Sequence, residues 1–325
     1  MSSPLLRGPR WADVRVHRTA LWTAGAAIVL AALLTGYFRW AAAAYPATIN
    51  DCGSSGGPCE NAFLGFASAH DLLNAYMANA ALALLILPLL AGAFVAGPMV
   101  GRELETGLHR LAWTQSVSPA RWLASKLTVA AALSAAGALA LMGVFQLGAS
   151  GLLGRWNLSW SDRGVYEAIG PVLIAYCLLA VAVGALAGLL LRRTLLGMSV
   201  TGVVTGGILF ALGSVRWHLF PVTTVSGPAS GRSTGYTMHD VPVDSLIMDM
   251  GVHNAAGERF VAGQCSPEQM ADFPCPSDTR ITGWYAEVHP HSHFWYVQLI
   301  ETGIVLALAA AAAYAAFRVL RRRTP

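Results

Sequence analysis

Six apolar runs constrain this chain more than any other feature. They fall at residues 19–38, 72–100, 127–148, 171–191, 195–215 and 294–319. About 20 residues of helix span the hydrocarbon core of a bilayer. In lipid, every backbone N–H and C=O must find a partner within the protein, which leaves helices or a closed barrel. Continuous apolar runs without alternation favour helices. The composition agrees, with 55% hydrophobic and 12% charged residues, where an average soluble domain is about 25% charged. The expected fold is an all-α, multi-pass protein of the plasma membrane with six transmembrane helices.

Fourteen of the 21 basic residues lie in the 1–18 segment, the 101–126 segment, the Arg192-Arg193 turn and the tail. The positive-inside rule therefore predicts cytoplasmic N- and C-termini. It also predicts a large extracytoplasmic loop domain between helices 5 and 6. The expected organisation is a basic segment at 1–18, helices 1–5 over 19–215 with a cytoplasmic segment at 101–126, an outer domain at 216–293, and helix 6 with a basic tail at 294–325. The first run exceeds the 7–15 residues of a leader's apolar region and reads as a span. Cys52, Cys59, Cys265 and Cys275 fall on the outer side, where disulfides persist. They allow three pairings; nearest-neighbour pairing, 52–59 and 265–275, is the simplest.

The 101–126 segment is polar between two long apolar runs. Leu104, Leu108 and Leu111 at i, i+4 and i+7 predict a helix with a narrow apolar stripe. Arg102, Glu103, Glu105, His109 and Arg110 cover the rest of its surface. Ser118-Pro119 is an N-cap with proline at the first helical position, and Arg121, Trp122 and Lys126 follow where that helix enters the bilayer. Such a segment either closes a hairpin at the interface or docks a soluble partner.

The sequence bears on the source of energy. A phosphate-binding P-loop needs Gly-Lys followed by Ser or Thr, but the sole lysine, Lys126, sits between Ser125 and Leu127. This chain is expected to bind no nucleotide and no other cofactor. An ion-driven carrier places ionisable groups in mid-membrane, and these spans hold almost none. Glu301 is the exception, roughly 10 Å into the last helix and expected to be paired or hydrated near the outer interface. His289, His291 and His293 have spacing that suits zinc. Pro290 and the Phe294-Trp295-Tyr296 run favour an interfacial anchor instead, so no metal is expected. No nucleophile elbow or HExxH pattern supports an enzyme, and no nucleic-acid partner is expected. Asn74, Asn79 and Gln146 suit hydrogen bonds between helices. With Gln298 and Glu301, they are also the candidates to line a translocation path.

The stretch RELETGLHRLAWTQSVSPARWLASKL resembles the first cytoplasmic loop of ABC-2-type permeases, the membrane subunits of ATP-driven exporters. The matching positions are Glu103, Glu105, Gly107, Ser118, Arg121 and Lys126, with Leu108 where the family often has Thr. HPHSHFWYVQLIE resembles the entry to the last span in one branch of these permeases, through Pro290, Ser292, Phe294, Trp295, Gln298 and Glu301; His293 replaces the usual Arg. The resemblance implies a cytoplasmic ABC ATPase as partner, carrying ATP and Mg. It also implies a second permease copy or a related permease, with both subunits in the lipid bilayer. Arg102, Glu103, Glu105, His109, Arg110 and Arg121 would supply polar contacts to the ATPase, while Leu104, Leu108, Leu111 and Trp113 would pack against it. The apolar spans suit a hydrophobic or amphiphilic cargo. The rival classes are a non-transporting sensor or assembly factor with a ligand-binding outer domain and, third, a metalloenzyme using the histidines.

Overall fold

A computed structural model describes residues 18–45, 64, 66, 68–107, 118–154, 158–229, 241–261, 265 and 275–323. Among them are six helices long and apolar enough to cross a membrane: Leu21–Ala44, Ala69–Thr106, Pro119–Ala149, Val172–Leu191, Thr194–His218 and His291–Arg323. Each contains most of one predicted run. Two compact units are present, one holding the helices up to Arg216 and from Gln298 onward, the other spanning Trp217–Val297.

In the helical unit, α1 is Arg18–Ala44. Helix α2, Ala69–Leu84, starts at Ser68, whose Oγ accepts the Asp71 N–H while its hydroxyl donates back to the Asp71 carboxylate. The ladder breaks at Leu85–Ile86 and resumes as α3, Leu87–Leu90. Pro88 has no N–H to give, so the break falls where one backbone bond is forfeited anyway. A π-helical turn, Ala91–Ala96, leads into α4, Gly97–Thr106. Ser118 caps α5, Pro119–Ala149, by accepting the Arg121 N–H at 3.3 Å. The short α6, Val165–Ile169, precedes α7, Val172–Leu191. A turn at Arg192-Arg193 leads to α8, Thr194–Val215, and the last helix, α9, is Phe294–Arg323.

Burial assigns the roles of these helices. In α7, 78% of the apolar window is buried inside the protein, against 6% in α1. Helix α7 is therefore the core and α1 lies at the periphery. Small residues permit the closest approach, as membrane helices pack without a hydrophobic drive between them. A Cβ on Gly184 of α7 would stand 2.9 Å from the Gly92 carbonyl oxygen and 3.1 Å from the Gly97 nitrogen.

The second unit corrects the all-α expectation. It contains a four-stranded antiparallel sheet in the order β1-β4-β2-β3. The strands are β1, Thr223–Pro228; β2, Leu246–His253; β3, Arg259–Phe260; and β4, Gly283–His289. Strand β4 is central and buried on both faces, so it lacks the alternation that marks a half-exposed strand. Val252, Phe260, Trp284 and Val288 form its core with Cys265, which is disulfide-bonded to Cys275. Cys52 and Cys59 lie outside the described residues.

The predicted leucine stripe is also corrected. Helix α4 continues out of the second span and ends at Gly107, whose φ of 77° is the left-handed C-cap conformation that glycine adopts without strain. Leu104 therefore shares no continuous helix with Leu108 and Leu111. Those two, with His109, Arg110 and Trp113, lie outside the described residues.

Candidate functional site

Two polar clusters tie the helical unit together, one near each end of α7. At the end where α4 meets the starts of α5 and α8, Glu103 is the hub. Its carboxylate accepts the Trp122 indole N–H at 2.9 Å and pairs with the Lys126 ammonium. Lys126 is buried, and taking a cation out of water is costly unless it is paired. Two residues on, Glu105 accepts both the backbone N–H and the hydroxyl of Thr194, at 2.9 and 2.6 Å. Helix α4 is thereby clasped to α5 through one carboxylate and to α8 through the next. Leu104 packs beside Val100, Trp122, Leu123 and Leu320. Arg102 and Arg121 remain exposed.

At the other end of α7 the structure holds a group that sequence reasoning missed. Arg216, counted from sequence as an outer-loop residue, is only 3% exposed. Its Nε donates to Glu301 Oε2 at 2.8 Å and its Nη2 to Glu301 Oε1 at 3.1 Å. The same Nη2 donates to Glu167 Oε1 at 2.5 Å. Glu301 also accepts the Tyr176 hydroxyl at 2.8 Å, and Glu167 Oε2 accepts the Gly164 N–H at 2.7 Å. The guanidinium lies 4.0 Å from the centroid of the Tyr166 ring. Burial, reinforced by the Glu301 carboxylate, pushes the Tyr166 phenol far above its ordinary pKa. Beside this group, Gln298 accepts the Val172 N–H and donates to the Tyr166 carbonyl. One arginine thus joins α6, the end of α8 and the start of α9. Glu301 is paired, as expected, yet it is fully buried rather than hydrated.

The expected path residues do not converge. Gln298 and Glu301 belong to the arginine group. Asn79 is exposed and bonds its own helix at Ala75 O, and Gln146 is exposed on α5. The Asn74 amide is buried without a hydrogen-bond partner among the described residues.

The histidines form a pair within the second unit. His289 Nε2 lies 2.9 Å from the Trp217 carbonyl and must donate to it. Its Nδ1, 3.1 Å from His293 Nδ1, is then the acceptor. Burial holds His289 below the usual histidine pKa. His291 is exposed and stacks on Phe294. No group of three or more metal-ligating side chains occurs among the described residues.

Neither the curated proteins nor the solved structures gave a match. A family profile described as ABC-2 membrane transporter related matches residues 23–216, from α1 to the buried arginine. The match covers more than half of the 325 residues. With six apolar helices of membrane-spanning length, this chain belongs to the ABC-2 membrane transporter related family and is an ABC-2-type permease.

Proposed function

We propose that the chain is the membrane subunit of an ATP-driven exporter. It lies in the plasma membrane with cytoplasmic termini and takes its energy from a separate ATPase that binds the 101–126 segment. The sheet unit then lies outside, and a second permease copy or a related permease completes the twelve spans usual for such exporters. The cargo is hydrophobic or amphiphilic, in keeping with apolar, glycine-rich spans.

The observation that carries this reading is the double clasp at the end of α4. Because Glu103 holds α5 and Glu105 holds α8, a push on the 108–117 connection moves three helices together. Rigid helices pivoting under a partner's closure are a known way to open a cavity first on one side and then on the other. Both carboxylates are engaged within the chain, so their role moves from touching the ATPase to transmitting its motion. Contact with the ATPase then falls to exposed Arg102 and Arg121 and to residues 108–117.

Co-expression with a candidate ABC ATPase tests the reading. Replacing residues 108–117 by a Gly-Ser linker abolishes co-purification, whereas Glu103→Gln preserves it and lowers vanadate-sensitive efflux from vesicles. Unchanged co-purification of the linker variant overturns the docking role. Co-purification of the unaltered pair without any vanadate-sensitive efflux favours the non-transporting sensor.

A further inference from the structure

We propose that a trough between α1, α2, α3 and α5 holds an acyl chain of an anionic phospholipid whose phosphate rests on Arg39. The trough has a volume of ≈ 490 Å³, within the roughly 300–1,000 Å³ of ligand pockets. Leu34, Ala83, Leu87, Leu141 and Phe145 line it, with Thr35 and Tyr76 near one end. All its walls belong to candidate membrane spans. Its mouth therefore faces hydrocarbon, where an acyl chain rather than water is the available occupant.

The headgroup end is marked independently. Arg39 lies one turn beyond Thr35, about 6 Å further along α1. It is half-buried, and a single nitrogen, Nη1, donates to the Gly148 and Ser150 carbonyls at 3.3 and 2.6 Å. Its Nε and Nη2 make no hydrogen bond among the described residues, and arginine binds a phosphate in forked geometry. Exposed Tyr37, Trp40 and Tyr45 ring the same end of α1, and such aromatics settle at headgroup depth. An apolar trough, a guanidinium one turn above it and an aromatic belt at that level match a single phospholipid. The site does not depend on the export reading.

Native mass spectrometry of the full chain in mild detergent tests this, with phosphatidylglycerol and phosphatidylcholine supplied together. One phospholipid per chain is retained, the anionic one favoured about 5-fold, the weight of one arginine beside an anionic headgroup. Arg39→Gln removes that preference, and Ala83→Trp blocks retention. A phospholipid with a diazirine in its acyl chain, applied to the unaltered protein, places its adducts on trough residues such as Leu34 and Leu87. This arm holds even where a variant fails to fold. Three results overturn the proposal: no retained phospholipid, adducts spread evenly over the exposed faces of the spans, or an Ala83→Cys disulfide joining two copies, which would make the trough an interface between them.

Discussion

Arg216 offers the sharpest test of what holds the helical unit together. It is the sole cation bonded to Glu167 and Glu301 among the described contacts, and all three side chains are 3% exposed or less. Arg216→Met conserves much of the volume but leaves two buried carboxylates facing each other without a counter-charge. Removing one partner of a buried pair costs about 3–5 kcal/mol. Glu301→Gln is milder, because Arg216 keeps Glu167 and the amide oxygen still accepts one bond, so about 1–3 kcal/mol is expected. Combining Arg216→Met with Glu167→Gln and Glu301→Gln removes the stranded charges, and the triple variant should recover part of the loss. At about 2 °C per kcal/mol, Arg216→Met lowers the melting midpoint by roughly 6–10 °C and Glu301→Gln by roughly 2–6 °C. The assay is detergent-solubilised thermal unfolding of all variants at one fixed scan rate, so that midpoints are comparable. An Arg216→Met midpoint within about 2 °C of the parent, or a triple variant less stable than Arg216→Met alone, refutes the electrostatic argument.

Three further outcomes follow from the same geometry. His289 is held below its ordinary value of 6.5 by burial, so the unfolded chain takes up the proton first and stability is lost as pH falls from about 6.5 through the folded pKa. The Tm of the unaltered protein should drop between pH 7.5 and 5.5, and His289→Phe should flatten that drop; an equal drop in both would reject the assignment. Replacing Cys265 and Cys275 by serine opens a loop of sequence separation 10, which costs about 3 kcal/mol on chain-entropy grounds. The readout is faster proteolysis within Trp217–Val297, and unchanged cleavage argues against the bond. Gly184→Val presses side-chain atoms onto the backbone of Gly92 and Gly97, with an overpacking cost of at least about 1–3 kcal/mol. A variant that melts like the parent would mean that α7 can move aside.

How much was legible in the sequence varied with how local the signal is. The six spans were plain, because length and apolarity are properties of a single segment. The Ser118-Pro119 start of α5 was equally plain, since a cap and its helix adjoin. Glu301 stood out as an acid inside a span, but its partners did not. Glu167 is 134 residues away in sequence and Arg216 is 85 residues away. A charged residue closing an apolar run reads as interfacial when its run is considered alone. The available signal was that Arg216 closes one span while Glu301 lies two turns into the next, which places opposite charges at the same end of two antiparallel helices. The leucine stripe failed at Gly107, where a glycine inside a helical pattern was a stop signal. Strand β4 escaped detection because burial on both faces removes its period of two, leaving GWYAEVH with only its aromatic and β-branched residues as cues.

The central claim is that this permease hydrolyses nothing itself and receives its drive through the 101–126 segment. Cysteines placed singly at positions 109–113 and cross-linked to the co-expressed ATPase test it most directly, together with ATP turnover by the purified chain alone and by the complex. The account predicts no turnover by the chain alone, turnover by the complex, and cross-links confined to the ATPase. Hydrolysis by the isolated chain, or labelling of those cysteines in intact cells by a membrane-impermeant thiol reagent, would contradict it.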